Sequence, residues 1–528
     1  MSIWSRLLLL GATCLSLATA TAAQIVRVEG GVIEGRPLDS GVNAFLGVPF
    51  AAPPLRDLRW RPPQPVQPWA GTLHADRFAP MCLQPMRGST INHYFGHEAI
   101  SEDCLYLNVW APKEPAPAGK PYPVVVWIYG GAFNVGSASM LNYSGEFLAR
   151  QGVVYVALSY RVGTLGFLAH PELTAEGGGH SGNYGLMDQV AGLEWVRNNI
   201  AGFGGDPGNV TLVGQSAGSM SIGLLMASPA AKGLFHRVVG MSGSPFGALL
   251  PPIALTDAEA DGKRLQDVLR VGSLADMRAL AGDRIIATPL PRRSPIVLDG
   301  KLLSLPPDQA MKTGGHSDVP VMIGFTRDES FRSLGNPADI PAYEALVKSS
   351  FPGVADKVLK AYAVKDAADL RRTVTDIQRD ATLGRQVAAW ARAQKQPAYV
   401  WLFTRRHPYT AGISFADHDP ATVGAYHTGD VPYWLGTLDA LNLFRRTRDW
   451  EPADQQLAAR MQGMLLSFAK GQPPAPDWPR FDPKRPRLME LGEQVRVTDW
   501  PRYATLDLLA GWEAAPPPAA ATAPRVRD

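Results

Sequence analysis

The stretch Gly214-Gln215-Ser216-Ala217-Gly218 constrains the fold of this chain more than any other. An apolar run, Asn209 to Val213, leads into it. Small, helix-compatible residues from Ser219 to Ala227 lead out of it, ended by Pro229. A G-x-S-x-G between a strand and a helix marks a sharp reversal, in which the two glycines spare the backbone a clashing Cβ. The serine hydroxyl then stands exposed at the end of the strand. The N–H of the next residue, Ala217, points to where a negatively charged oxygen can sit.

Such a turn needs a sheet around it. Pro123 to Tyr129 is an almost continuous run of β-formers, the pattern of a strand buried on both faces. Val153 to Tyr160, Arg237 to Met241, Val319 to Phe325 and Ala398 to Phe403 read the same way. Helical patterns lie between and after them, at Leu186 to Asn199, Thr256 to Leu269, Asp366 to Lys395 and Asp454 to Lys470. This alternation predicts an α/β fold with a mostly parallel central β-sheet flanked by helices. From Gln24 to Phe50, short alternating segments punctuated by glycine predict a small N-terminal antiparallel meander. With 46% of its 528 residues hydrophobic, the chain has ample core material. Its formal net charge is +3 with no long block of like charge, which argues against a nucleic-acid partner.

Residues 1–22 read as a signal peptide. Arg6 supplies the positive start, Leu7 to Leu17 the apolar stretch, and Ala20-Thr21-Ala22 the small-residue cleavage site. The apolar stretch is too short to span a bilayer, and no other run of about 18 apolar residues follows. The expectation is an exported chain, periplasmic or secreted, without a stable membrane anchor. Residues 23–514 then form one folded domain, and the Ala/Pro-rich segment 515–528 a disordered tail. Beyond the leader only Cys82 and Cys104 remain, and one pair in an exported chain predicts one disulfide bond.

A serine hydroxyl is a poor nucleophile until a base accepts its proton. On a strand–serine–helix scaffold an acid, and then a histidine, follow the serine in the chain. His427, in Gly424-Ala425-Tyr426-His427-Thr428-Gly429-Asp430, lies in a glycine-bounded loop suited to projecting a side chain into a cleft. His407 and His418 are the alternatives, His418 in a polar turn of the kind found at solvated surfaces. The acid must orient the imidazole and offset its charge. The strand Val319 to Phe325 runs into Thr326-Arg327-Asp328-Glu329-Ser330-Phe331. Asp328 or Glu329 can serve, but not both, since adjacent side chains project apart. Tyr129-Gly130-Gly131-Ala132-Phe133 follows another buried strand, and its paired glycines permit the close backbone approach an oxyanion hole requires. No H-E-x-x-H and no cysteine cluster points to zinc, and this chemistry needs neither a metal nor an organic cofactor.

Together these residues resemble the type-B carboxylesterase family, α/β-hydrolases that include cholinesterases and bacterial para-nitrobenzyl esterases. The stretch from Phe203 through Gly218 matches the family's serine motif, and Glu102-Asp103-Cys104-Leu105-Tyr106-Leu107-Asn108-Val109 its second motif. Phe45 to Pro54 looks like the family's N-terminal segment, and coverage runs from about Ile25 to about Glu513. The resemblance implies the α/β-hydrolase fold and a serine carboxylic-ester hydrolase acting on a small-molecule ester through an acyl-enzyme intermediate. It implies Ser216 as nucleophile, Glu329 rather than Asp328 as the acid, and His427 as the base. It implies Gly131, Ala132 and Ala217 as oxyanion donors and Ser242 as a hydrogen-bonding support of the acid. Cys82 and Cys104 match the family's cysteine loop. Arg59 with Glu102, and Arg161 with Asp188, match its structural ion pairs.

The departures from the family bear on substrate. Cholinesterases carry a glutamate just before the nucleophile, where this chain has Gln215. They also carry a tryptophan in the cysteine loop, whose face attracts a quaternary ammonium. This loop has His93, Tyr94 and Phe95 instead. Both changes weaken a choline-ester reading. Ala132 replaces a glycine common in cholinesterases but leaves its N–H available. Phe133, Gln215, Leu249 and Phe331 are the residues expected to line the substrate pocket. Two other readings keep the scaffold: a non-catalytic binding protein, or an amidase or thioesterase with the same triad.

Overall fold

The computed structural model describes residues 24–86, 99–247, 250–288, 294–510 and 512. The expected leader (1–22) and tail (515–528), the segment His93 to Phe95, and Leu249 lie outside the described residues. The frame is a thirteen-stranded sheet. In chain order its strands are β1 (Ile25–Val28), β2 (Gly31–Pro37), β3 (Val42–Pro49), β4 (Tyr106–Pro112), β5 (Tyr122–Ile128) and β6 (Val154–Leu158). There follow β7 (Gly205–Gln215), β8 (Arg237–Met241), β9 (Val321–Thr326), β10 (Ala398–Phe403), β11 (Arg487–Leu491) and β12 (Val495–Asp499). They lie side by side as β1-β2-β3-β4-β6-β5-β7-β8-β9-β10-β11-β12, with Thr72–Ala75 paired beside β2.

From β6 to β11 every neighbouring pair is parallel. Parallel strands joined by helices are covered on both faces and so read as unbroken apolar runs. Every residue of β6, β9 and β10 is buried. The covering helices include Ala217–Ala227 on β7 and β8, Arg385–Ala393 on β9 and β10, and Pro452–Ala469 on β5 and β7. Among the described residues no helix is long and apolar enough to cross a membrane.

The structure carries the expected N-terminal antiparallel meander and adds two features that the sequence reading lacked. The meander continues into the main sheet, since β3 pairs antiparallel with β4, and β4 with β6. The first five residues of β3 are all buried, so that strand needed partners on both sides. A C-terminal hairpin, β11 and β12, closes the other edge. Its charged residues, from Arg487 to Asp499, hid it as a strand pair. The helical stretch near Asp366 to Lys395 is interrupted by a π-turn at Asp380–Gly384. There the fully buried Asp380 carboxylate takes Arg379 Nη2 at 2.6 Å and the Tyr362 hydroxyl at 2.9 Å.

Two ion pairs lock the scaffold. Arg161 donates to Asp188 through Nε at 2.8 Å, Nη2 at 2.7 Å and its backbone N–H at 2.9 Å. This ties the end of β6 to the helix Tyr184–Asn199. Arg59 Nε reaches Glu102 at 2.7 Å, and its Nη1 reaches the carbonyls of Met277, Arg278 and Leu280. Cys82 and Cys104 form a disulfide with Cα atoms 4.9 Å apart.

Removing one partner of a buried pair strands the other charge, which costs about 3–5 kcal/mol, against about 0–1 kcal/mol for an exposed pair. Asp188→Ala is therefore expected to destabilise the fold by about 3–5 kcal/mol in urea denaturation. Asp308→Ala, which breaks an exposed pair with Lys312, is expected to change it by less than about 1 kcal/mol. Equal effects of the two substitutions would contradict this account of the scaffold.

Candidate active site

At the end of β7 the chain turns at Ser216 with φ 55° and ψ −123°. A left-handed φ on a non-glycine residue costs about 1–3 kcal/mol and persists only where its surroundings over-determine it. Here they do. The Ser216 N–H donates to the Met241 carbonyl of β8 at 2.8 Å, and the Met220 N–H donates to the Ser216 carbonyl at 2.9 Å. A Cβ added to Gly218 would stand 2.0 Å from the Ile128 carbonyl oxygen, and one on Gly214 would stand 2.7 Å from the Gly218 carbonyl carbon. Both glycines of the motif are there for space, and the helix Ala217–Ala227 starts immediately behind the serine.

The glycine loop after β5 presses against this elbow. A Cβ on Gly130 would lie 2.9 Å from Ser216 Cβ. The backbone then passes through φ 115° at Gly131, 53° at Ala132 and 58° at Phe133. The turn is closed by the N–H groups of Asn134 and Val135 on the Gly131 carbonyl, at 2.9 and 3.1 Å. Gln84 clamps its exit: its Oε1 accepts from the Gly136 N–H at 2.7 Å, and its Nε2 donates to the Gly136 carbonyl at 2.8 Å. Among the described residues, no hydrogen bond to a protein acceptor engages the N–H groups of Gly131, Ala132 or Ala217.

Glu329 follows β9, and its side chain is 1% exposed. Oε1 accepts from the Ser242 hydroxyl at 2.8 Å and from the Thr326 N–H at 2.6 Å, and Oε2 lies 2.5 Å from Nδ1 of His427. A buried carboxylate so fully hydrogen-bonded fixes the ring it faces and sets the Nδ1–H tautomer. Asp328, the other acid weighed from sequence, does something else. Its N–H donates to the Ala425 carbonyl at 3.0 Å and its Oδ2 accepts from the Ala425 N–H at 2.8 Å, clipping the loop of the acid to the loop of the histidine. Arg372 pairs with the remaining carboxylate oxygen. Gly424, at φ 69°, must be glycine here, since a Cβ would stand 2.3 Å from Asp328 Oδ2.

The two alternative histidines lie elsewhere. His407 is buried, with Nε2 on the Gly429 carbonyl at 2.7 Å. His418 lies in a turn whose Ala416, Asp417 and Asp419 are exposed, with its ring stacked on Phe415 at a centroid distance of 4.6 Å. Of the expected pocket residues, Phe331 sets its ring edge-to-face with His427 at 5.0 Å. Phe133 is fully buried and packs edge-on to Phe167 at 5.4 Å, part of the core. Gln215 sits directly on His427: its Nε2 lies 3.0 Å from Nε2 of the ring. Among the described residues no hydrogen bond joins the Ser216 hydroxyl to that ring nitrogen.

Sequence reasoning assigned nothing to Gln84, to the clip formed by Asp328, or to Asp430. Asp430 follows His427 by three positions, a proximity visible in the sequence, but its burial was not. It is fully buried, and its carboxyl is pushed up to about 7, first by desolvation and then by the negative charge of Glu329.

Comparison with known proteins agrees with this geometry. A family model described as the carboxylesterase family matches residues 22–508. The chain is 36% identical to a fumonisin B1 esterase of Sphingopyxis macrogoltabida, over 92% of this chain and 90% of the relative. It is 32% identical to a para-nitrobenzyl esterase of Bacillus subtilis (strain 168), over 90% and 96% respectively. A solved PNB esterase superposes with a TM-score of 0.76 at 31% identity, covering 92% of this chain and 99% of that one. A turn that exposes a serine at the centre of a parallel sheet thus occurs in a chain whose relatives hydrolyse esters. The chain belongs to the carboxylesterase family of α/β-hydrolases and is a carboxylesterase.

Proposed function

We propose that this protein is an exported serine esterase working through Ser216, His427 and Glu329. The observation that carries the reading is a buried, fully bonded carboxylate holding a half-buried imidazole against Gln215, the residue that precedes the elbow serine. Ser216 attacks the ester carbonyl while its proton passes to Nε2 of His427. Glu329 holds Nδ1 and stabilises the imidazolium that forms. The electron pair of the carbonyl moves to its oxygen, which the N–H groups of Gly131, Ala132 and Ala217 receive. Their lack of a protein acceptor supports that role, and each such donor is worth about 10²–10³ in rate. The imidazolium returns its proton to the departing alkoxide. Water then attacks the acyl-enzyme through the same groups.

Two features support export. The first 22 residues have the pattern of a cleavable leader. The Cys82–Cys104 bond is of a kind that persists in oxidising compartments. The names of the relatives give the assay panel: para-nitrobenzyl esters as compact substrates and fumonisin B1 as a bulky one, with matched amides and thioesters beside them.

Asp430 bears on the charge at the site. While it holds its proton, Glu329 is the negative charge the imidazole faces. A carboxyl whose folded value is raised to about 7 keeps in the folded state a proton that the unfolded chain releases above about pH 4. Stability contributed by this group is complete below about pH 4 and falls as the pH rises toward 7.

Ser216→Ala is expected to reduce ester turnover by about 10⁴-fold or more, measured with a para-nitrobenzyl ester. Near-normal turnover in that variant would overturn the assignment. Asp430→Asn removes the titrating carboxyl, so its change in urea midpoint relative to wild type should be more favourable at pH 8 than at pH 4. The same difference at both pH values would show that Asp430 keeps an ordinary carboxyl.

A further inference from the structure

Gln215 is 1% exposed and lies between two parts of the proposed machinery. Its Oε1 faces the glycine loop, where a Cβ on Gly130 would stand 2.9 Å from it. Its Nε2 faces His427 Nε2 at 3.0 Å. An amide nitrogen can only donate. When it donates to the ring, Nε2 accepts with its lone pair and the ring proton sits on Nδ1, where Glu329 Oε2 lies 2.5 Å away. Glu329, the imidazole and Gln215 form one chain of hydrogen bonds.

We propose that Gln215 is a positioning residue for the catalytic histidine: a neutral cap that holds His427 in its basic form and sets the pH at which the enzyme becomes active. The inference rests on the triad reading above. A hydrogen bond donated to the neutral form of a titrating group disfavours the charged form. Nε2 has one lone pair, so Gln215 and Ser216 occupy it in turn. The cap holds the ring while the site waits, and the serine hydroxyl displaces it when the proton is transferred. A glutamate at 215 would act in the opposite sense. It offers no donor, and its charge would pair with the imidazolium and hold the proton on Nε2.

The other groups around the ring are common to every variant of this test. Glu329 faces Nδ1 from the loop after β9. Asp430, on the same loop as the histidine, is neutral at the acid end of the range and gains its charge as the pH passes about 7. Asp328 with Arg372 lies behind that loop, and Phe331 presents an uncharged ring edge. These groups are the same in every variant, so the difference between limbs reports on residue 215.

The experiment is the pH profile of kcat/KM for the full-length protein and for Gln215→Glu, Gln215→Met and Ser216→Ala, with a para-nitrobenzyl ester from pH 5 to 9. An opposite charge within about 4–6 Å favours the protonated form by about 1–3 pH units. Gln215→Glu should move the acid limb upward by about one pH unit or more, with a loss of about tenfold or more on that limb and recovery at high pH. Gln215→Met keeps the length but removes the donor, and its limb should fall between wild type and Gln215→Glu. A purely structural role for Gln215 would lower turnover equally at all pH values and leave the limb in place. Coincident limbs in wild type and both variants, with Ser216→Ala inactive, would overturn this proposal and leave the triad reading standing. Full activity in Ser216→Ala would overturn the triad reading itself. If Gln215→Glu does not fold, Gln215→Met decides alone: an unmoved limb overturns the proposal.

Discussion

The site depends on the parallel register at the centre of the sheet. Gln215 at the end of β7 pairs with Met241 of β8, and Met241 pairs with Gly324 of β9. The residues that follow these partners leave the sheet along the same edge. Ser216 N–H bonds the Met241 carbonyl, and Ser242 N–H bonds the Gly324 carbonyl. The proposed nucleophile, the support of the proposed acid and that acid itself are thus delivered by neighbouring strands. Ligand sites in open α/β sheets lie outside the carboxyl ends of their strands for this reason. A slip of one residue in any of these pairs would turn a site residue into the core and a core residue into the cleft.

Five of the ten described non-glycine residues with a left-handed φ lie at the same edge. Ala132, Phe133, Ser216, Ser242 and Thr428 are non-glycine residues with φ between 51° and 75°. Each belongs to a segment that carries a proposed donor, nucleophile, support or base. Strain of about 1–3 kcal/mol per residue is held by bonds around it: the Gln84 clamp on Gly136, the Asp328 clip on Ala425, and the backbone bonds of the elbow. The buried pair of Arg161 and Asp188 and the bridge from Arg59 to Glu102 fix the frame behind them. Rigid support of this kind lets a preorganised donor set act without rearranging during the reaction.

Much of this was legible in the sequence because it follows from periodicity and local space. Arg237–Met241 and Ala398–Phe403 read correctly to the residue, since an unbroken apolar run between polar ends has few other meanings. The hairpin β11–β12 was not legible, because charges on its exposed face broke the pattern. Ser216 was singled out by its glycines, whereas the choice of Glu329 over Asp328 came from family resemblance alone. Adjacent carboxylates look alike in sequence, and only the fold separates the one that meets a ring nitrogen from the one that meets a backbone amide. Gln84 and Asp430 escaped notice for a related reason. Their roles arise from burial and from partners distant in the chain, such as Gly136 and Glu329.

The central claim is that an ester's acyl group resides on Ser216 during turnover. Rapid acid quenching of the enzyme with a para-nitrobenzyl ester, followed by peptide mass mapping, tests it most directly. The account predicts a transient mass increase of one acyl group on the peptide containing Ser216, absent when that serine is alanine. Steady turnover with no adduct at that residue, or with the acyl group on another side chain, would contradict it.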